Sequence, residues 1–311
     1  MDRFETWLEE NDIGKVERNV SLKKHTTYRV GGICKYMIFP SDTKQLIKLL
    51  KILKEYEIKY KVLGNGSNTL FSDEPFEGVI IKLSNFDNLE VRRTTVKVGS
   101  GYNLMKLATL MVKKGLSGLE FATGIPGTVG GAVYMNAGAY KSDMGYIVKN
   151  IKVLTKEFQV ITLTNRELDF HYRSSFLQRN KDYICLEATL SLKNGDKDEM
   201  QEIVKDRRTR RLESQPLEYP SAGSVFRNKE GYPASGKLIE DLGLKGYRIN
   251  GAEVSMKHAN FIINKENATA QDIRDLIEYV QEKVKEEYKI ELKVEQEFVN
   301  WKKDETKEEK N

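Results

Sequence analysis

The sequence predicts an α+β protein built from three successive parts. Three features predict this class: helical and strand periodicities alternate in blocks, two glycine-rich segments interrupt the blocks, and a proline-containing turn precedes the final third. The chain has 311 residues, of which 39% are hydrophobic, so it is long enough for two or three domains with filled cores. We therefore expect several small domains, each with its own sheet and helices.

The first part, residues 1–83, contains one β-α-β-like unit, from Pro40 to Leu83. Asp42 and Gln45 have the spacing of an N-terminal capping box. The apolar residues that follow recur at helical spacing, namely Leu46, Leu49, Leu50, Leu53 and Tyr56. The runs KVLG and GVIIKL predict short buried strands beyond this helix.

The second part, residues 84–206, begins with the predicted strand TVKVGSG. A helix over YNLMKLATLMVKKG has one apolar face, and Gly115 is its expected stop. Three β segments follow the second glycine-rich segment, and the last alternates strictly, with apolar side chains at Ile184, Leu186, Ala188, Leu190 and Leu192. A helix is predicted from about 196 to 212, and it leads into the proline-containing turn of the next part.

The third part, residues 207–311, contains the turn SQPLEYPSAGS near its start. Two strands are predicted near YRINGAEVS and HANFIIN, and Thr269 with Asp272 predicts the start of a long amphipathic helix. The run KIELKVEQEFV predicts a terminal strand, and residues 301–311 predict a charged, frayed tail.

Charge and cysteine content exclude several classes of protein. The chain carries 51 Lys and Arg against 46 Asp and Glu, spread along its length, which argues against nucleic acid as a partner. The dense basic run DRRTRR, residues 206–211, is predicted to be a solvated helix face. Cys34 and Cys185 lie far apart, so we expect neither a disulfide framework nor a metal site, and a reducing cytoplasm is the expected location. Neither a signal peptide nor a membrane span is predicted.

The first glycine-rich segment, VLGNGSNTLFSD, is a near miss for a dinucleotide-binding fingerprint. Gly64 and Gly66 fit the first two glycine positions, but Thr69 occupies the third, and Pro75 argues against a following helix. A polar turn remains, in which successive N–H groups together with Ser67 and Asn68 suit a diphosphate.

The second glycine-rich segment, GLEFATGIPGTVGGAVYMNAGAY, lacks the side chains that would keep a flat ligand away from the main chain. Its proposed cofactor contacts are Gly124, Pro126, Gly127, Thr128, Gly130, Gly131 and Gly138. The alternative is that both segments are only tight turns in a β-rich domain.

Five motifs, in this order and at these distances, resemble one known family. They are VLGNGSNTLFSD, GIPGTVGGAVYMNAGAY, YRSSF, SAGSVFRN and GAEVSMKHANFIIN. The chain resembles the UDP-N-acetylenolpyruvoylglucosamine reductases over roughly residues 21–297, and within them the compact subclass that lacks an extra substrate-covering loop.

This resemblance implies a vanillyl-alcohol-oxidase/p-cresol-methylhydroxylase-type FAD-binding fold. It implies two FAD-binding subdomains at residues 1–83 and 84–206, and a substrate-binding domain at 207–311 whose terminal strand returns to the active site. It adds Asn65, Ile125, Ala132 and Asn136 to the expected FAD contacts. The FAD is expected to be non-covalent, because neither glycine-rich segment contains a histidine for attachment.

The implied reaction is the reduction of UDP-N-acetylglucosamine enolpyruvate to UDP-N-acetylmuramate, with NADPH as hydride donor. It belongs to bacterial peptidoglycan synthesis and implies a cytoplasmic enzyme without an obligatory protein partner. The resemblance places Arg173 on the substrate carboxylate, Ser224 as proton donor, and Glu295 as the third catalytic residue. Tyr172, Asn228, His258 and Asn260 correspond to substrate-side positions.

One departure from the family pattern stands beside Glu295. The family commonly has Glu, an apolar residue and Arg here, whereas this chain has Glu295, Gln296 and Glu297, so another basic residue must serve or that contact is missing. Two alternatives remain: another FAD-dependent oxidoreductase of the same fold, or a flavin-free module that binds sugar nucleotides.

Overall fold

The computed structural model describes residues 3–302 of the chain. The helices are α1 Arg3–Glu10, α2 Thr43–Glu55, α3 Leu104–Lys113, α4 Val129–Met135, α5 Asn165–Leu168, α6 Phe176–Arg179, α7 Lys197–Ser214, α8 Ser235–Asp241 and α9 Ala270–Tyr288. The strands are β1 Lys15–Ser21, β2 Ile33–Phe39, β3 Tyr60–Val62, β4 Thr69–Phe71, β5 Phe76–Ile81, β6 Leu89–Arg92, β7 Thr95–Gly99, β8 Leu116–Ser117, β9 Gly138–Ala139, β10 Ser142–Asp143, β11 Val148–Leu154, β12 Val160–Thr164, β13 Ile184–Ser191, β14 Lys193–Asn194, β15 Arg248–Ile249, β16 Ala252–Val254, β17 Ile262–Asn264 and β18 Glu297–Val299.

These elements form two compact units. Unit 1 comprises Met1–Asn19, Lys35–Asn65 and Glu77–Ser214, and unit 2 comprises Val20–Cys34, Gly66–Phe76 and Gln215–Asn311. The division into three domains at residues 83 and 206 stays a prediction.

The first sheet of unit 1 has the strand order β1-β2-β5-β3, and α2 supplies apolar residues to its core. The predicted helix start is confirmed, because the Asp42 carboxylate accepts the Gln45 N–H at 2.8 Å. β3 and β5 pair in parallel, with Val62 opposite Ile81. Chain segments that leave these two strands therefore emerge at the same edge of the sheet.

The second sheet of unit 1 has the order β12-β11-β13-β7-β6 and is antiparallel throughout. The alternation predicted for β13 holds from Leu186 to Ser191, since Ala188 and Leu190 are buried whereas Ser191 is exposed, but it is not strict, because Cys185 is buried as well. α3 packs its apolar face into this core and ends before Gly115, whose φ of +75° a residue with a side chain rarely adopts.

Unit 2 packs α9 against the antiparallel sheet β15-β16-β17. The predicted capping box is present: Asp272 donates its N–H to the Thr269 hydroxyl at 3.0 Å and accepts the Thr269 N–H at 2.8 Å. The terminal strand is shorter than predicted, because pairing in this run is limited to β18 and an isolated antiparallel bridge between Val294 and Phe226. β18 lies parallel to β4, with Glu297 opposite Thr69.

Two further features were not predicted from the sequence or lie outside the described residues. The second glycine-rich segment contains the helix α4, which the sequence did not predict. Nearly all of the predicted charged tail, residues 303–311, lies outside the described residues.

Candidate functional site

The two glycine-rich segments meet in unit 1. Gly64 follows β3, and a Cβ atom placed on it would lie 2.8 Å from the hydroxyl oxygen of Thr128. A side chain at position 64 would therefore push the two segments apart. Lys82, which follows β5, donates a hydrogen bond from Nζ to the carbonyl oxygen of Gly64.

Glycine is needed at position 130 because α4 begins directly against the end of β7. A Cβ atom on Gly130 would lie 2.8 Å from the Ser100 Cβ, and the Gly130 N–H donates to the Ser100 carbonyl at 2.8 Å. Thr128 caps the helix by accepting the Gly131 N–H at 3.2 Å. The main chain of Gly130 therefore packs closely against Ser100 of the protein itself. Gly131 is exposed, and a Cβ atom on it would contact only the Thr128 hydroxyl.

The basic run on α7 is not a purely solvated face, so that expectation is partly wrong. The Arg211 side chain packs on Gly124, where a Cβ atom would lie 2.7 Å from the Arg211 Cδ. The Arg207 guanidinium lies 4.6 Å from the ring centre of Tyr140. Burial lowers the pKa of Arg211. Arg207 and Arg211 therefore cover the second glycine-rich segment. The charge pattern alone does not distinguish these two residues from Arg208 and Arg210, which are exposed.

Arg173 lies in a tight turn that is attached to the end of α4. The turn is closed by reciprocal hydrogen bonds of 3.0 Å between the main chains of His171 and Ser174. The Arg173 backbone has a φ of +53°, and its guanidinium lies 5.3 Å from the ring centre of Tyr172, which is 53% exposed. Left-handed backbone at a non-glycine residue is uncommon and often marks a functional turn.

Asn136 provides this attachment. Its side chain donates to the His171 carbonyl at 2.9 Å and accepts the Gly145 N–H at 2.9 Å. The Ser175 hydroxyl adds a second bond, to the Tyr134 carbonyl at 2.7 Å. Both ends of the Asn136 amide thus bind the protein, which gives this residue a positioning role.

The remaining predicted cofactor residues of unit 1 lie around α4. Ile125 packs beside the buried core, Pro126 is exposed, Gly127 has a φ of +155°, and Ala132 is buried on α4. Gly138 lies in β9, where a Cβ atom would approach the Asp143 Cβ to 2.5 Å.

Unit 2 brings the segment of Ser224 together with Glu295 and Asn68. The Glu295 N–H donates to the Val225 carbonyl at 2.7 Å, and the Asn68 side-chain amide donates to the Glu295 carbonyl at 3.1 Å. Gly223 has a φ of +75° and open space around its Cβ position, so the main chain before Ser224 borders a free volume. Three separate predicted motifs therefore converge at Glu295.

Two other residues of the first loop also belong to unit 2. Gly66 has a φ of +63°. The Gly66 carbonyl accepts two hydrogen bonds from Thr27, one from the N–H at 3.2 Å and one from the side-chain hydroxyl at 3.3 Å. Ser67 is half-buried and follows it directly.

A buried polar network beside this convergence was missed by sequence reasoning. The Gln296 side chain accepts a hydrogen bond from the Tyr28 hydroxyl at 3.0 Å and donates to the carbonyls of Ala222 at 3.3 Å and Gly223 at 3.5 Å. Tyr28 is fully buried, which raises its pKa, and Gln296 is 6% exposed. Gln296 occupies the position where the family commonly has an apolar residue, and it holds the chain that precedes Ser224.

The predicted substrate-side residues of unit 2 mainly bind the main chain. The Asn260 side chain donates to the Phe226 carbonyl at 2.8 Å and accepts the Phe226 N–H at 2.9 Å. Asn228 accepts the Ser235 N–H at 3.0 Å, at the start of α8. His258 accepts the Asn260 N–H at 3.2 Å, and burial, followed by the charge of Lys245, lowers its pKa.

The donors in unit 1 fit the diphosphate of FAD. Within residues 3–302, the N–H groups of Gly64 and Asn65 donate no hydrogen bond to the protein, and the buried Ser100 hydroxyl has no partner. Unpaired N–H groups in a loop and a buried hydroxyl without a partner are suited to bind an anionic ligand. Residues 3–302 contain no cluster of His, Cys, Asp and Glu arranged to hold a metal ion. The same residues form no helix that is both long and apolar enough to span a bilayer.

Two family models match this chain. A model described as an FAD binding domain matches residues 34–164, and one described as the C-terminal domain of UDP-N-acetylenolpyruvoylglucosamine reductase matches residues 215–299. Together with the solved relative below, they confirm the predicted fold class, an α+β FAD-binding fold followed by a C-terminal substrate domain.

Whole-chain relatives agree with these matches. The UDP-N-acetylenolpyruvoylglucosamine reductase of Anoxybacillus flavithermus is 45% identical over 96% of this chain and 99% of its own length. That of Bacillus subtilis is 43% identical over the same shares. The crystal structure of the Thermus caldophilus reductase superposes with a TM-score of 0.79 at 35% identity, over 91% of this chain and 98% of that one.

Proposed function

The chain belongs to the family of UDP-N-acetylenolpyruvoylglucosamine reductases, and we propose that it catalyses the NADPH-dependent reduction of UDP-N-acetylglucosamine enolpyruvate to UDP-N-acetylmuramate. When bound, FAD supplies the hydride relay between NADPH and the carbon–carbon double bond of the enolpyruvyl group. The protein must then hold the substrate carboxylate, supply one proton and exclude water.

Ser224 is the proposed proton donor. A serine hydroxyl is a weak acid in water, but the carbanion that develops beside a carboxylate is basic enough to take its proton. Gly223 and Val225 flank Ser224 with main chain that is fixed by Gln296 and Glu295. Because this main chain is fixed on both sides, the Ser224 side chain starts from a defined position.

Arg173 is the proposed partner of the substrate carboxylate. A planar guanidinium forms paired, charge-assisted hydrogen bonds with a carboxylate, each contributing roughly 1.5–3 kcal/mol. Its left-handed turn is closed on itself and attached to Asn136, so the side chain starts from a defined position. Tyr172, Asn228, His258 and Asn260 remain proposed contributors to the substrate side.

One observation carries the proposal for this chain's own residues: the convergence at Glu295. Its main chain is bonded both to the segment of Ser224 and to Asn68 of the first glycine loop. A proton donor, a carboxylate and a cofactor loop thus share one hydrogen-bonded framework within unit 2. Turns that served only to reverse the chain would have no need of this arrangement.

The proposal is tested by the absorbance of the purified protein under anaerobic conditions. We expect a yellow protein that bleaches with NADPH and regains its colour when UDP-N-acetylglucosamine enolpyruvate is added. A colourless protein that does not take up FAD would favour the flavin-free module. A flavin that is reduced by NADPH but not reoxidised by this substrate would favour another oxidoreductase of the same fold.

The proposal includes the bacterial cytoplasm as the site of the reaction, since both NADPH and UDP-linked sugars are cytoplasmic metabolites. It includes no obligatory protein partner and no nucleic acid.

A further inference from the structure

Lys82 lies at the edge of the sheet where the chain leaves the two parallel strands β3 and β5. β3 leads into Gly64, β5 leads into Lys82, and the Lys82 ammonium donates to the Gly64 carbonyl. An ammonium group has three N–H donors. The bond to Gly64 therefore leaves two of them for another acceptor.

Among residues 3–302, no carboxylate contributes to the pKa of this cation. Lys82 is half-buried, and burial alone lowers its pKa to about 8, without a contribution from any carboxylate of the described residues. A partly desolvated cation without a counter-ion is unfavourable, and an anionic ligand relieves this penalty. The charge of Lys82 would thus be stabilised by an anion that residues 3–302 do not supply.

The surroundings of Lys82 also favour an anion. Within residues 3–302, the N–H groups of Gly64 and Asn65 have no acceptor in the protein, and the Thr128 hydroxyl lies directly beside Gly64. Backbone N–H groups next to a cation form a suitable site for phosphate oxygens.

We propose that Lys82 is the cation that neutralises the diphosphate of bound FAD. This inference rests on the proposed function, because it takes FAD as the ligand. FAD is favoured over the UDP-linked substrate because Gly64, Lys82 and Thr128 all lie within the match to the FAD binding domain at residues 34–164. The reductase-specific match, at residues 215–299, contains none of them.

The test is the dissociation constant of FAD, measured by diluting the flavin-bound protein and following the fluorescence of released FAD. Lys82→Met should raise this constant about 10- to 100-fold, the usual loss for one charge-assisted contact. Lys82→Arg keeps the charge and should stay within about threefold of the wild type. Lys97→Met, at an exposed position on β7, is the matched control and should change nothing.

The pH dependence of the FAD dissociation constant tests the charge of Lys82 directly, because a purely structural role of Lys82 would not produce it. Above pH of about 8, Lys82 of the flavin-free protein is neutral and must take up a proton to hold the diphosphate. The dissociation constant of the wild type should then rise up to about tenfold per pH unit. Lys82→Met and Lys82→Arg should both show a flat profile over the same range.

The outcomes separate this inference from the proposed function. A wild-type protein that holds no FAD would contradict the reductase itself. If Lys82→Met, with an unchanged far-ultraviolet circular dichroism spectrum, binds FAD as tightly as the wild type, Lys82 has no part in FAD binding. Weakened binding of UDP to flavin-saturated Lys82→Met, with normal FAD binding, would assign the cation to the substrate diphosphate and overturn the inference.

Discussion

Replacing Gln296 tests whether the buried polar network holds the segment of Ser224. Gln296→Leu removes the acceptor of the Tyr28 hydroxyl and the donor to the carbonyls of Ala222 and Gly223. Tyr28→Phe removes the hydroxyl alone. Since both side chains are buried, neither variant can replace the lost bonds with water.

The magnitudes follow from the groups that each variant leaves unpaired. A buried donor or acceptor without a partner costs about 1–3 kcal/mol. Tyr28→Phe leaves one oxygen of Gln296 unpaired and should lower the free energy of unfolding by about 1–2 kcal/mol. Gln296→Leu leaves the Tyr28 hydroxyl and the carbonyls of Ala222 and Gly223 unpaired. Because the bonds to these carbonyls are long, at 3.3 and 3.5 Å, we expect about 2–3 kcal/mol. The double variant leaves fewer buried polar groups unpaired than the two single variants together. Its loss in the free energy of unfolding should therefore be smaller than the sum of the two single losses by about 1 kcal/mol.

The assay is denaturant unfolding followed by tryptophan fluorescence. The chain has two tryptophans, and Trp301 packs beside the core of unit 2, whereas Trp7 belongs to unit 1. In a Trp7→Phe background the signal therefore reports unit 2 alone. Strictly additive losses in the double-mutant cycle would show that Tyr28 and Gln296 are not coupled and would refute the network.

Three further predictions concern the glycine segment, the carboxylate partner and pH. Gly130→Val should abolish FAD retention, because its Cβ would lie 2.8 Å from that of Ser100, and normal flavin content in this variant would contradict the packing. Arg173→Lys should lower turnover by about 10²-fold while the protein stays yellow, and near-normal turnover would remove Arg173 from the mechanism. The lowered pKa of His258 means that the unfolded chain binds a proton more readily, so stability should be full above pH of about 6.5 and fall as the pH drops below it. Melting temperatures should therefore fall less on acidification in His258→Gln, and identical pH profiles would contradict this assignment.

Local signals in the sequence were sufficient for most elements of the fold. The caps at Asp42 and Thr269 act within three residues, so spacing alone identifies them. The alternation of β13 from Leu186 to Ser191 follows from a sheet with one more deeply buried face. These features need no knowledge of distant contacts.

Distant contacts explain what the sequence left open. Gly130 was expected to make room for a flat ligand, yet its nearest neighbour is Ser100 on another element. In the sequence, Gln296 differs from the family pattern but gives no sign of its role, because its partner Tyr28 lies 268 residues away. Arg211 was grouped with a solvated face, since nothing in a basic run shows which members meet a glycine. The chemistry of such residues is decided by the fold, which places their partners.

Single-turnover kinetics of Ser224→Ala test the central claim most directly, since the two half-reactions of the flavin can be followed separately. Reduction by NADPH should proceed as in the wild type, while reoxidation by UDP-N-acetylglucosamine enolpyruvate should slow by about 10²-fold or more, because only the second step needs the proton of Ser224. Equal rates of reoxidation in both proteins, or equal slowing of both half-reactions, would contradict the account.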